Sequence, residues 1–272
     1  MPDGYSNHRD QYRAVSDDYS RKELIERALL DGLGKFVQYR EVGFVVFGDM
    51  TVDDLARAFQ HHPVLIKPIL ASVNIASRAI KRDLGVDFNL YSSRVTPERA
   101  SQLAGYVYPL LPRDMAIPAL VELDRSGWVD KEMRNLKARW EARVQEALVA
   151  CAGLPFKKRH FDCEGEEYEI DAAHFDEDVH VHLAVDVKRI ESPRDIHKRC
   201  DEIVNKALKL KRVLPAAKFY AVVYYPFPQE HGNIRSRLAG AAVDGVFFAS
   251  ETADSIRSAA MHLLAHARVG NP

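Results

Sequence analysis

The sequence predicts an α/β protein in which a mixed β-sheet flanked by helices fills the C-terminal half, behind an α-helical N-terminal region. Three observations carry this. Residues 20 to 150 repeat apolar side chains mostly at helical spacing between recognisable caps, residues 156 to 190 are extended and end in a strict alternation, and KFYAVVYYP (218 to 226) is an unbroken apolar run typical of a strand buried on both faces.

In order, SRKELIERALLDGL is amphipathic and predicts the first helix. TVDDLARAF opens with a Thr51 cap and early aspartates, which favour a helix N-terminus. Pro63 interrupts it, after which VLIKPILASVNIASRAIKRDLG is expected to continue at helical spacing, with Gly85 as its stop. TPERASQLAGYVYPLL begins with Thr96 as cap and Pro97 at the first helical position, and Pro112 lies beyond its end. DKEMRNLKARWEARVQEALVACAG predicts a long helix ending near Gly153, and GFVVFG is the one strand-like piece of this half. The pattern changes near residues 125 to 135, so the expected division is a helical region over 1–125 and an α/β domain over 126–272.

FKKRHFDCEG, EEYEIDAAHF and VHVHLAVDVKRI then predict three strands separated by turn residues. In the third, Val179, Val181, Leu183, Val185 and Val187 share one face, which puts Asp186 and Lys188 together on the other. SPRDIHKRCDEIVNKALKLKRVLP follows as a helix with Ser192 as N-cap, Pro193 at the first position and an apolar stripe of Ile196, Cys200, Ile203, Ala207 and Leu210. The KFYAVVYYP strand, a short helix at NIRSRLAG, a strand at DGVFFAS and a last helix through SIRSAAMHLLAHA complete a β-β-β-α-β-α-β-α series. That order suggests a mixed sheet with helices on both faces.

Composition narrows the function classes. The N-terminus has no apolar signal-peptide core, and no stretch has the run of about 18 apolar residues that a membrane span needs, so the expectation is a cytoplasmic protein without a membrane partner. Cys151, Cys163 and Cys200 are scattered and lack metal-ligand spacing, which points to reduced structural thiols. The net charge of −1 gives no global case for a polyanion, yet Lys188 to Arg212 holds nine Lys or Arg against four Asp or Glu. That local excess suits phosphate contacts, or simply a solvated helix face.

The chemistry is expected at Asp186 and Lys188. Two residues apart on a strand are roughly 7 Å apart on one face, so both side chains reach one small volume. A buried charge is costly unless paired or holding a metal. Mg²⁺ takes hard oxygen ligands and keeps several waters, so carboxylates from two adjacent strands suffice, and Asp171 on the preceding strand is the second candidate. A lysine beside them can orient the attacking water or counter the charge growing on a scissile phosphate.

Asp171, fourteen intervening residues and the triplet Asp186, Val187, Lys188, set in a strand, strand, strand, helix, strand context, resemble the PD-(D/E)xK nuclease superfamily, which includes most type II restriction endonucleases. The resemblance covers about residues 135 to 250. Two departures stand out: no proline precedes Asp171, and the triplet opens with Asp rather than Glu. It implies a restriction endonuclease-like core, Mg²⁺-dependent hydrolysis of double-stranded DNA, and a homodimer where cutting is palindromic. It also implies a glutamate on the helix before the first strand. Glu141 borders the stripe of Trp140, Val144, Ala147, Leu148 and Cys151, whereas Glu146 points away, so Glu141 is preferred. Some families with this fold take the acid from the following helix, where Glu202 stands.

Arg194, Lys198 and Arg199, on the first turns after the motif strand, are the candidate DNA contacts. His180 and His182 share the face of Asp186 but lack a third ligand at metal spacing, and His61 with His62 fits a loop or capping role. Lys157, Lys158 and Arg159 could grip a backbone or simply guard a strand edge, and Tyr224 and Tyr225 are expected in the core. Two rival functions remain: a structure-specific repair or recombination nuclease, and a non-catalytic nucleic-acid-binding defence protein of the same fold.

Overall fold

The computed structural model describes residues 4–86, 94–175, 181–240 and 242–269. The chain divides into two compact units, one of Arg13–Met133 and one of Met1–Tyr12 with Arg134–Pro272. The first residues thus group with the sheet-bearing unit. Helix α1 (His8–Asp17) runs across the first division and α7 (Ile117–Ala152) across the second.

In the Arg13–Met133 unit, α2 (Lys22–Leu33) precedes a small antiparallel sheet, ordered β1 (Val37–Tyr39), β2 (Gly43–Val45), β3 (Met115–Ala116). Between β2 and β3 lie α3 (Val52–His61), α4 (Ile66–Ser72), α5 (Ser77–Leu84) and α6 (Pro97–Val107). The Thr51 cap forms a full capping box with Asp54, whose carboxylate accepts from the Thr51 amide at 2.9 Å. Thr96 caps α6 by accepting from the Arg99 amide. Leu29, Leu55, Phe59, Ile69, Leu103 and Leu120 fill the core.

Two expectations for this unit change. The segment after Pro63 does not continue as one helix: α4 ends in a Schellman motif, with Asn74 at φ 55, the Ile75 amide donating to the Leu70 carbonyl and the Asn74 amide to that of Ala71. Asn tolerates this left-handed backbone, and Ile75 packs against the core. The long helix begins at Ile117, not Asp130. Pro118 sits in its first turn, where no amide is needed, and Gly127 leaves room for Lys67, whose Cε would lie 2.4 Å from an added Cβ. Within α7, Asp124 is fully buried, accepts from the Tyr19 hydroxyl at 3.0 Å and pairs with Arg21 at 3.2 Å.

The sheet-bearing unit follows the expected series. Strands β4 (Lys157–Cys163), β5 (Glu166–Phe175), β6 (Val181–Arg189), β7 (Lys218–Tyr224) and β8 (Gly245–Phe248) are neighbours in that order. The first two pairings are antiparallel and the last two parallel, so the sheet is mixed. The second half of α7 and α10 (Ala253–Ala267) cover one face through Trp140, Val144, Leu148, Ile256 and Leu263. On the other face, α8 (Ile196–Val213) and α9 (His231–Leu238) bury Ile196, Cys200, Ile203, Ala207, Leu210 and Ile234. The stripe expected on α8 is therefore the buried one. Tyr5 packs on Tyr224, and the Tyr224 hydroxyl donates to the Ser6 carbonyl at 2.7 Å, tying the N-terminal segment to β7. No single helix among the described residues is long and apolar enough to cross a membrane.

Candidate active site

Strand β6 lies in the middle of the sheet, which is why its odd residues Leu183, Val185 and Val187 are buried toward α7 and α10. Ala184 packs toward α8, and the alternation carries Asp186 and Lys188 to that side. Val179 and His180, expected at the start of this strand, lie outside the described residues. Asp186 is completely buried at 0 % exposure.

Asp171 stands one step beyond the Ala172–Val185 pair of β5 and β6, opposite Asp186. Its placement depends on an irregularity. The β4–β5 register shifts between Lys157 and Arg159, so β5 gains one residue there; Ile170 and Ala173 face the α8 side while Ala172 faces the opposite core. Asp171 sits at this bulge and accepts from the Val187 amide at 2.8 Å. Burial first and the Asp186 charge second push its carboxyl up from 3.8 to about 7, against the pull of Lys206 and the Val187 amide.

Two ammonium groups serve Asp186. Lys206 on α8 donates directly to its Oδ1, and the Lys188 ammonium stands 3.7 Å from its Oδ2. At that distance Oδ2 remains a buried oxygen without a hydrogen-bond partner. Burial works against the Lys206 charge, but Asp186 and Asp171 outweigh it and hold the ammonium above its ordinary range. Lys188 also lies 3.8 Å from Glu202, whose carboxylate accepts from Arg199 at 2.8 Å. Burial raises the Glu202 carboxyl, yet the Arg199 bond and the surrounding cations carry it below its usual range.

Glu141 on α7 is partly buried, and that burial pushes its carboxyl up against the opposing fields of Lys137, Lys188 and Lys158, with Asp186 adding to the rise. It therefore belongs to the same electrostatic neighbourhood, whereas Glu146 is exposed. Arg194 and Lys198 are exposed at the start of α8, while Arg199 is occupied by Glu202. Lys158 is paired with Glu169 at 2.8 Å. His182 is exposed, and His61 Nδ1 lies 2.8 Å from the Arg57 carbonyl oxygen. Tyr224 and Tyr225 are core residues, and the three cysteines are free thiols.

Sequence reasoning passed over Lys206, although a signal existed. Arg199, Glu202, Lys206 and Lys209 form a row at i, i+3, i+7 and i+10, one residue ahead of the buried row Cys200, Ile203, Ala207 and Leu210. Charged side chains flanking a buried stripe reach back over the sheet edge. Arg189 was also passed over. It is buried on the opposite face, paired with Glu191 at 2.6 Å and with Glu251, and lies over the Tyr224 ring at 4.1 Å.

Among the described residues no three His, Cys, Asp or Glu side chains form a ready metal cage. The donor set at β5 and β6 is one buried and one partly buried carboxylate, the buried one with an unpartnered oxygen, which suits a hard cation that retains several waters. Compared with known proteins, the chain matches no protein-family model, and its sequence is similar to none of the curated proteins.

Proposed function

We propose that the sheet-bearing unit is a Mg²⁺-dependent DNA endonuclease with a restriction endonuclease-like core, acting as a cytoplasmic, homodimeric enzyme of the restriction type. One observation carries the reading: Asp186 is wholly buried with an unpartnered Oδ2, and a second acid, the partly buried Asp171, stands one step beyond the Ala172–Val185 pair on the neighbouring strand. Two like charges, one wholly and one partly buried, are destabilising alone and become useful when a dication joins them. Asp171 and Asp186 would hold the ion, which when bound supplies electrophilic stabilisation of the phosphate and a more acidic water.

The remaining steps belong to the chain's own side chains. Lys188, at 16 % exposure, holds its ammonium between Asp186 and Glu202, where it donates to the attacking water or to a non-bridging phosphate oxygen. Glu141, whose burial makes it a stronger base than a surface glutamate, takes up the proton the water releases. Arg194 and Lys198 carry exposed cations at the mouth of α8, beside a cleft of about 450 Å³ where the Arg237 guanidinium meets the His197 ring at 2.9 Å. That surface suits the phosphates of double-stranded DNA.

A second reading is favoured by the direct Lys206–Asp186 bond: an ion cluster that fastens α8 to β6 and performs no chemistry, in a protein that binds nucleic acid only. Incubation with methylated and unmethylated plasmid and phage DNA plus Mg²⁺, followed by sequencing of the ends, separates the cases. Ends at a fixed sequence support restriction-type cutting, ends at branches or lesions support the repair-type variant, and intact DNA with retained binding supports the second reading.

A further inference from the structure

We propose that Lys206 is an exchangeable counter-ion, an ammonium that neutralises the Asp186–Asp171 pair in the metal-free protein and must leave it before a divalent cation can bind. This rests on the reading of Asp171 and Asp186 as the metal ligands. The lysine is hydrogen-bonded to Asp186, is 15 % exposed, and feels the charge of Asp171 as well, so its ammonium lies within the field of both acids. Lys188 is close too, but it stands off at 3.7 Å and divides its charge between Asp186 and Glu202. With Glu202 and its Arg199 partner included, three cations already face three carboxylates. A dication added to all six would leave a surplus of positive charge in a site with little solvent, where it is poorly screened.

Lys206 has a place to go. Glu202 lies one helical turn earlier, in the favourable order for an i, i+4 pair, and is partly exposed. The neighbouring lysine of the same row, Lys209, already reaches Glu166 at 2.8 Å, so side chains of this row are long enough to choose between acids on the helix and on the sheet. The exchange makes the site regulated by cation supply: at low Mg²⁺ the acids are capped by Lys206 and the fold keeps its charge balance, and only a sufficient Mg²⁺ concentration exposes the ligands.

The test is calorimetric titration of the full chain with Ca²⁺, comparing wild type with Lys206→Met, which keeps the aliphatic length and removes the charge. The variant is expected to bind Ca²⁺ at least about tenfold more tightly, because no ammonium has to be displaced. Equal or weaker affinity overturns the exchange. Asp186→Asn is the control for the underlying reading: binding that survives it places the ion elsewhere and removes the metal-site assignment itself, as does an absence of binding to both wild type and Lys206→Met. Should Lys206→Met fail to fold, amine labelling of the wild type followed by mass spectrometry gives the same answer. Lys206 is expected to label several times faster when saturating Ca²⁺ is present, and an unchanged labelling rate contradicts displacement.

Discussion

Replacing Asp171 by Asn should stabilise the metal-free protein at alkaline pH while removing cleavage. The native state holds the Asp171 proton more tightly than the unfolded chain does, because burial and the Asp186 charge raise its carboxyl from 3.8 to about 7. For such a group the unfolded chain loses its proton first, so its contribution to stability is full below pH 3.8, falls as pH rises and is gone above about 7. At about 1.4 kcal/mol per pH unit, the span from pH 5 to 7 carries at most about 2.7 kcal/mol, which relaxation of the site reduces to roughly 1–2 kcal/mol. Asn keeps an acceptor for the Val187 amide and offers a donor to the unpartnered Asp186 Oδ2. The assay is urea unfolding in EDTA, followed through Trp140, which is 2 % exposed and donates to the Ser250 carbonyl, in a Trp128→Phe background. Titrations remote from the site are common to both proteins, so the stability difference between Asn and Asp variants reports on Asp171 together with the groups it interacts with, Asp186 and Lys206. It should grow in favour of Asn by that amount from pH 5 to pH 8. A difference that stays constant, or that favours Asp at pH 8, refutes the argument that these two carboxylates oppose each other.

Lys188→Arg and Lys188→Ala should each lose at least about a hundredfold in single-turnover cleavage, since Arg's planar fork cannot occupy the place of a compact ammonium, while DNA affinity measured in Ca²⁺ changes much less. Near-normal cleavage by Arg would make Lys188 a phosphate contact. Arg194→Ala with Lys198→Ala should weaken DNA binding and lower the slope of log affinity against log salt by about one for each phosphate that is no longer neutralised. An unchanged slope, measured by fluorescence anisotropy, would mean that these exposed side chains are merely solvated.

Much of the architecture was legible because it depends on local periodicity. The α8 stripe from Ile196 to Leu210, the doubly buried β7 and the caps at Thr51 and Thr96 each follow from side-chain spacing or from a single donor–acceptor pair, whereas Ser192 caps a short 3-10 turn, Pro193–Asp195, that leads into α8. What escaped was set by tertiary geometry. Strands β1 and β3 are three and two residues long, too short to show an alternation. The break at Asn74 lies inside a continuous apolar pattern, and its cause is a left-handed backbone that several residue types can adopt. The stretch of α7 before Asp130 that the sequence left outside the helix contains Gly127, which packs against Lys67.

The candidate site divides along the same line. Asp186 and Lys188 shared a face by the two-residue period alone, and Glu141 was separable from Glu146 by its angle around α7. That Asp171 meets Asp186 depends on a bulge opposite Lys158, which no local pattern announces. Lys206 is eighteen positions after Lys188 on another element, and its approach to Asp186 follows from the packing of α8 on the sheet. Arg199 carried a plausible charge for DNA, but its bond to Glu202 already uses that charge.

The central claim is that the Asp171–Asp186 pair supports metal-dependent cleavage, and single-turnover cleavage of DNA in Mg²⁺ by wild type and Asp186→Asn tests it most directly. The substitution preserves side-chain volume and removes the charge of a fully buried group. Wild type is predicted to cut in Mg²⁺ and not in EDTA, and the folded variant to bind DNA yet lose at least about a thousandfold in rate. Cleavage by purified Asp186→Asn at the wild-type rate, or no cleavage of any DNA by the wild type, would contradict the account.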